Sequence, residues 1–131
     1  GAAGAAVWSR ARLKRDAALQ GAILRNAARL LGVGGRLVYS TCSLADEEND
    51  GVIHRLLAHK RHGHGLRLVD ALGGPLAEES IATLLDGVDR TRFGALMLPD
   101  QSRFGPLYWA VLERHSAGHA DCDAAQAPEE G

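Results

Sequence analysis

An abrupt change of period at a glycine turn constrains this chain most. Over residues 9–31, Leu13, Ala17, Leu24, Ala28 and Leu31 recur at spacings of three, four or seven, joined by Ile23, Ala27 and Leu30, which is the stripe of an amphipathic helix. Gly32, Gly34 and Gly35 stop that pattern and turn the chain into a β-prone run over residues 36–41. Beyond it, Ser43 is placed to cap a second helix. Asp46, Glu47, Glu48 and Asp50 suit its positive dipole end, and Val52, Ile53, Leu56 and Leu57 form its buried stripe. The order helix, strand, helix points to half of an α/β unit. It leaves Cys42 at the carboxyl end of the strand, where ligands of open α/β sheets bind.

The remainder reads as further strands. Residues 66–69 form a short one. Residues 70–92 are less regular, broken by Gly73-Gly74-Pro75, with a helical turn or two over 80–85. Residues 93–98 and 107–112 are β-rich runs joined by the loop 99–106, the pattern of an antiparallel hairpin. From residue 117 onward Ala, Asp, Glu and Gly dominate, so 1–116 is expected to be folded and 117–131 to be a disordered tail. With 131 residues, 46% of them apolar, the chain can form one domain or part of one. Its start at Gly1 rather than Met fits a piece of a longer polypeptide. No apolar run reaches the roughly 18 to 20 residues of a membrane span.

The formal net charge of −1 conceals an asymmetry: residues 1–36 carry +6 and the rest −7. Arg10, Arg12, Lys14 and Arg15 crowd the start of the first helix, with Arg25, Arg29 and Arg36 following. Clustered cations supply the sequence-independent part of nucleic-acid binding, although a solvated helix face has the same composition. Two cysteines, Cys42 and Cys122, are too few for a disulfide framework and fit a reducing intracellular compartment.

Cys42 is either a small buried residue or a reactive thiol. A helix start close behind it and the hydroxyls of Thr41 and Ser43 favour a thiolate, whereas carboxylates facing it would act against one. His54, His59, His62 and His64 match no zinc spacing, so no metal is expected. Gly32 to Gly35 lead into a strand rather than a helix, which makes them a turn and not a phosphate loop. Phe93, Tyr108 and Trp109 suit a hairpin core, while Phe104, in the loop, is available to stack on a base.

Taken together, Ala18-Leu19-Gln20, Gly34-Gly35, Leu37-Val38-Tyr39-Ser40-Thr41-Cys42-Ser43-Leu44, Glu48-Asn49-Asp50, Leu98-Pro99 and Phe104-Gly105-Pro106-Leu107-Tyr108 resemble one family. It is the C-terminal part of the Sun-domain (RsmB/Nop/Sun type) RNA cytosine-5 methyltransferases. The likeness extends over about residues 8–114. The Phe-Gly-Pro-x-Tyr form looks closest to the mitochondrial ribosomal-RNA branch, which implies a mitochondrial location.

The resemblance implies the C-terminal part of a Rossmann-like class I methyltransferase sheet ending in an antiparallel hairpin. It also implies S-adenosylmethionine-dependent methylation of cytosine C5 in RNA, ribosomal rather than transfer RNA, with Cys42 as the nucleophile. RNA contacts fall to Arg12, Lys14, Arg15, Arg103 and Phe104, and a protein that delivers the RNA is a further partner open to such an enzyme. Departures from the family pattern concern missing parts: the Gly-rich cofactor loop, its acidic partners and a second, Pro-Cys cysteine do not occur. Cys122 has no preceding proline and does not take that last role. The S-adenosylmethionine site is therefore expected mostly upstream of Gly1, and the chain alone is expected to be inactive. Two alternatives remain open on the residues alone: a noncatalytic RNA-binding or assembly module of the same fold, and a thiol-redox domain, for which a nearby resolving cysteine is lacking.

Overall fold

The computed structural model describes residues 9–83, 85–100 and 104–117. The expected tail therefore falls almost entirely outside the described residues, as do Arg103 and Cys122.

Helix α1 runs over Arg10–Arg29, and Ser9 caps it, its Oγ accepting from the Arg12 amide at 3.2 Å. Its buried stripe is narrower than the sequence pattern. Ala17, Leu24 and Ala28 are buried, whereas Ile23 and Leu30 face outward, because the small side chains set the line of contact. Gly34 takes φ +83°, a conformation that strains other residues, and Gly35 bonds back to Gly32 before strand β1, Arg36–Thr41.

Helix α2 spans Asp50–Ala58 and packs Val52, Ile53 and Leu56 against α1 and the sheet. Strand β2 is Leu66–Val69. A 3-10 turn over Gly74–Ala77 and a one-turn helix α3, Glu79–Ala82, follow. Strand β3, Val88–Arg90, lies in the stretch that the sequence left irregular; β4 is Ala95–Met97 and β5 is Leu107–Arg114.

β5 organises the sheet. It pairs antiparallel along its length with β1, from Arg36↔Glu113 to Thr41↔Tyr108. Its other edge is shared by β2, at Leu66↔Arg114 to Val69↔Val111, and by β4, at Ala95↔Trp109 to Met97↔Leu107. β3 closes the far edge on β4. The expected β4–β5 hairpin is present, with a first strand shorter than residues 93–98, because 93 and 94 belong to the preceding turn.

One sheet face carries the helices. Tyr108, Ala110 and Leu112 on β5, with Leu37 and Tyr39 on β1, meet the helical stripes. The opposite face holds a smaller cluster around Trp109 with Ala71, Ala95 and Met97, and the indole N–H donates to the Ala71 carbonyl at 2.9 Å. Fully burying a side chain such as Leu112 contributes roughly 1.5–3 kcal/mol. Arg114, only 5% exposed, ends β5 and donates to the carbonyls of Ala28 (2.7 Å), Leu31 (2.9 Å) and His64 (3.0 Å). A cation thereby satisfies the carbonyl end of α1 and ties it to the turn before β2.

Candidate active site

β1 ends at Thr41, and the alternation of its side chains decides what happens next. Leu37, Tyr39 and Thr41 point towards the helices. Cys42, one step further, is exposed and is not in a disulfide. A cavity of about 420 Å³ opens beside it, lined by Arg12, Leu13 and Asp16 from α1, by Ser43, Leu44 and Glu48, and by Pro106 just before β5.

The residues flanking Cys42 are held by a partly buried polar network centred on the buried side chains of Glu48 and Asn49. Thr41 Oγ1 donates to Asn49 Oδ1 and accepts from the Ser43 amide at 3.2 Å. Asn49 Nδ2 donates to the Ser43 carbonyl at 2.8 Å. Ser43 Oγ donates to Glu48 Oε2 at 2.6 Å and accepts from the Ala45 amide at 3.1 Å. Gln20 Nε2 reaches Glu48 Oε1 from α1 at 2.8 Å, and the Tyr39 hydroxyl donates to the Glu48 carbonyl at 2.6 Å. Burial, reinforced by the Glu48 charge and partly offset by Arg55, pushes the Tyr39 phenol up to about 12. It therefore stays a donor throughout the physiological range.

Asp50 performs a third task. Its carboxylate accepts from the Tyr108 hydroxyl (2.7 Å), Thr91 Oγ1 (2.9 Å) and the amides of Arg92 (2.9 Å) and Phe93 (3.2 Å). Burial, followed by this bond to Asp50, raises the Tyr108 phenol well above its ordinary value. Glu48, Asn49 and Asp50 thus connect the segment around Cys42 to α1 and to the turn that enters β4.

Three expectations about this segment are corrected. Ser43 does not cap a helix, because a 3-10 turn over Asp46–Glu48 intervenes and α2 begins only at Asp50, with Asn49 at its N-cap. The dipole of α2 therefore does not start directly behind Cys42. The hydroxyls of Thr41 and Ser43, read as donors to the thiol, are engaged with Asn49 and Glu48 instead. The acids are not simply dipole partners either: both oxygens of Glu48 and both of Asp50 accept hydrogen bonds. Their donors are the side chains of Ser43 and Gln20 for Glu48, and the Tyr108 and Thr91 hydroxyls with the amides at 92 and 93 for Asp50, and period alone does not reveal that.

Among the described residues, Arg12 is the one expected RNA contact that borders the cavity. It lies 3.9 Å from Asp16, both side chains about half exposed. Lys14 and Arg15 are exposed on α1 outside the cavity lining, and Phe104 is 59% exposed in the loop before β5. Pro106, which sequence reasoning did not assign to the site, lines the cavity; its only signal was its place in the Phe-Gly-Pro-x-Tyr motif. None of the described histidines lines the cavity. His59 and His62 have ring centroids 4.4 Å apart and His54 stacks on Phe93 at 5.9 Å. Among the described residues no three His, Cys, Asp or Glu side chains converge as metal ligands, and no helix is long and apolar enough to cross a membrane.

Known proteins resemble this chain over most of its length. Residues 7–113 match the family described as 16S rRNA methyltransferase RsmB/F. The 5-cytosine rRNA methyltransferase nsun-4 of Caenorhabditis elegans is 37% identical over 97 residues, 73% of this chain and 21% of that protein. The ribosomal RNA small subunit methyltransferase F of Vibrio vulnificus is 35% identical over 83 residues, 63% of this chain and 15% of that protein. A solved methyltransferase homologue from Pyrococcus horikoshii superposes with a TM-score of 0.60 at 25% identity, over 82% of this chain and 33% of its own. The chain thus spans about a fifth or less of these two curated relatives. With the match extending over residues 7–113, most of the sequence, the chain belongs to the 16S rRNA methyltransferase RsmB/F family.

Proposed function

We propose that this chain carries the nucleophile's side of an S-adenosylmethionine-dependent RNA cytosine-5 methyltransferase, with Cys42 as the nucleophile. The observation that carries the reading is an exposed thiol at the end of β1, opening on a cavity of about 420 Å³ and flanked by residues held from a partly buried network.

A cytosine extruded from its stack can enter that cavity face-on. The Cys42 thiolate adds to C6, forming an S–C bond and shifting the ring's electron pair to C5, which is otherwise too weak a nucleophile. S-adenosylmethionine supplies the methyl group when bound. After C5 gains it, loss of the C5 proton to a base returns the electron pair, breaks the S–C6 bond and releases Cys42. The described residues fit this side of the reaction and not a cradle for the cofactor. The turn at Gly32 to Gly35 runs from a helix into a strand, so it presents no helix N-terminus. We therefore assign cofactor binding to other parts of the full-length protein.

Arg12 is the cation placed to meet the RNA backbone at the cavity mouth. Its exposed pairing with Asp16 is worth only about 0.3–0.5 kcal/mol, so an entering phosphate can displace it. Ribosomal RNA is the favoured substrate class, because the two curated relatives described above are named for it and Phe104-Gly105-Pro106-Leu107-Tyr108 has the form of the mitochondrial branch. That form also underlies a mitochondrial location.

The test uses full-length protein and RNA containing 5-fluorocytosine, whose C5 fluorine blocks release. The parent forms a covalent complex and Cys42→Ala forms none. Equal trapping by Cys42→Ala removes the nucleophile assignment.

A further inference from the structure

We propose that Asn49 is a positioning residue for the thiol, acting as a clamp on the two residues either side of Cys42. The inference rests on Cys42 being the nucleophile. Asn49 is 4% exposed, and its amide uses both ends on the flanking residues: Oδ1 accepts from the Thr41 hydroxyl and Nδ2 donates to the Ser43 carbonyl at 2.8 Å. Thr41 Oγ1 closes the loop by accepting from the Ser43 amide at 3.2 Å. Three hydrogen bonds thus connect the residue before Cys42, the residue after it and a side chain from the first turn beyond, while Cys42 itself remains exposed.

The chain needs such a device here. At Cys42 it has left the β1–β5 ladder, whose last pair is Thr41↔Tyr108, and α2 does not begin until Asp50. The backbone that carries the thiol is therefore held by neither a strand nor a helix. An amide suits the position because it offers one acceptor and one donor in a fixed plane, whereas aspartate would place a second acceptor against the Ser43 carbonyl. Glu48 buttresses the clamp from the other side, through Ser43 Oγ and Gln20. Asn49 borders no part of the cavity, so it acts through Thr41 and Ser43 and not on the substrate.

Loss of the clamp leaves the thiol present and accessible but loosely aimed. Misplacement of a reacting group by about 1 Å can cost roughly 10²-fold in rate. The experiment compares Asn49→Ala, Asn49→Asp, Thr41→Val and Thr41→Ser in the full-length enzyme. It reads kcat, KM for RNA, the rate of trapping on 5-fluorocytosine RNA, and alkylation of Cys42 by iodoacetamide. Asn49→Ala, Asn49→Asp and Thr41→Val are expected to lose roughly 10²-fold in kcat and trapping rate. KM for RNA and alkylation stay within about threefold, an interval under 1 kcal/mol. Thr41→Ser, which keeps the hydroxyl, recovers most of the loss.

If Asn49→Ala lowers the melting temperature, the near-isosteric Thr41→Val and Thr41→Ser pair carries the same comparison in a folded protein. Parental kcat and trapping in Thr41→Val and in folded Asn49→Ala, with trapping abolished in Cys42→Ala, overturns the clamp and leaves the nucleophile standing. Retained trapping in Cys42→Ala overturns both.

Discussion

Each of the three residues at 48–50 does different work. Glu48 receives Ser43 and Gln20, Asn49 holds Thr41 and Ser43, and Asp50 receives Tyr108 and the turn at 91–93. As letters in a motif they were legible; their assignments were not. Gln20 and Tyr108 lie 28 and 58 residues from Glu48 and Asp50, and the partners of Asn49, 8 and 6 residues away, are reached across a 3-10 turn that the pattern did not show. At the cavity mouth, Arg12→Ala should reduce the salt dependence of RNA binding. The slope of log K against log salt should fall by about 0.7 if the contacted RNA is single-stranded. An unchanged slope in a titration from low to moderate salt removes Arg12 from the interface. On β5, Glu113 accepts from Arg36 at 3.0 Å and from Arg67 Nε at 3.1 Å. The bonds from Arg67 and then Arg36 hold its carboxyl below the ordinary 4.5. A lowered folded value means stability that is present above the unfolded value and lost as pH falls through the folded one. Glu113→Gln should therefore melt below the parent at neutral pH, with the gap closing as pH drops below about 4.5 and shrinking in high salt. A gap that persists in acid would contradict the assignment.

At the scale of elements, close approach governs the β4 end of the sheet. A Cβ on Gly94 would meet the Trp109 carbonyl oxygen at 2.2 Å, beside the Ala95↔Trp109 pair, and only backbone movement could relieve it. Gly94→Ala should cost about 2 kcal/mol or more in denaturant unfolding. Gly32→Ala, with nothing within 4 Å and no positive φ, should stay within about 0.5 kcal/mol. Similar losses for the two would show that the approach at Gly94 relaxes. Periodicity and glycine punctuation placed α1, β1, β2 and the β4–β5 hairpin well. They missed β3, whose three residues Val88–Arg90 are too short to show alternation, and they broadened the α1 stripe to include the exposed Ile23 and Leu30. A helix pattern specifies a face, whereas the neighbour that packs on it decides how wide the buried line is.

Across the whole molecule, β1 stands at an edge of the sheet, paired with β5 on one side and with no strand on the other among the described residues. Val38 on that strand and Leu19 and Ile23 on α1 are each 61% exposed. An unpaired edge beside apolar side chains is a template for association. The 131-residue chain alone should therefore self-associate, or melt without a sharp transition, in light scattering and thermal scans. A monomer with a cooperative transition would show that this surface is tolerated. The sequence by itself determined the helix–turn–strand order, the cysteine at the strand end and the family, because these rest on local period, local turn chemistry and a contiguous motif. Only the tertiary structure decided how narrow the buried line on α1 is, that β5 lies between β1 and its other neighbours, and that Gln20 meets Glu48 behind Cys42. Those are matters of long-range pairing, and a side chain's partner is fixed by where the fold brings distant backbone, not by the residues beside it.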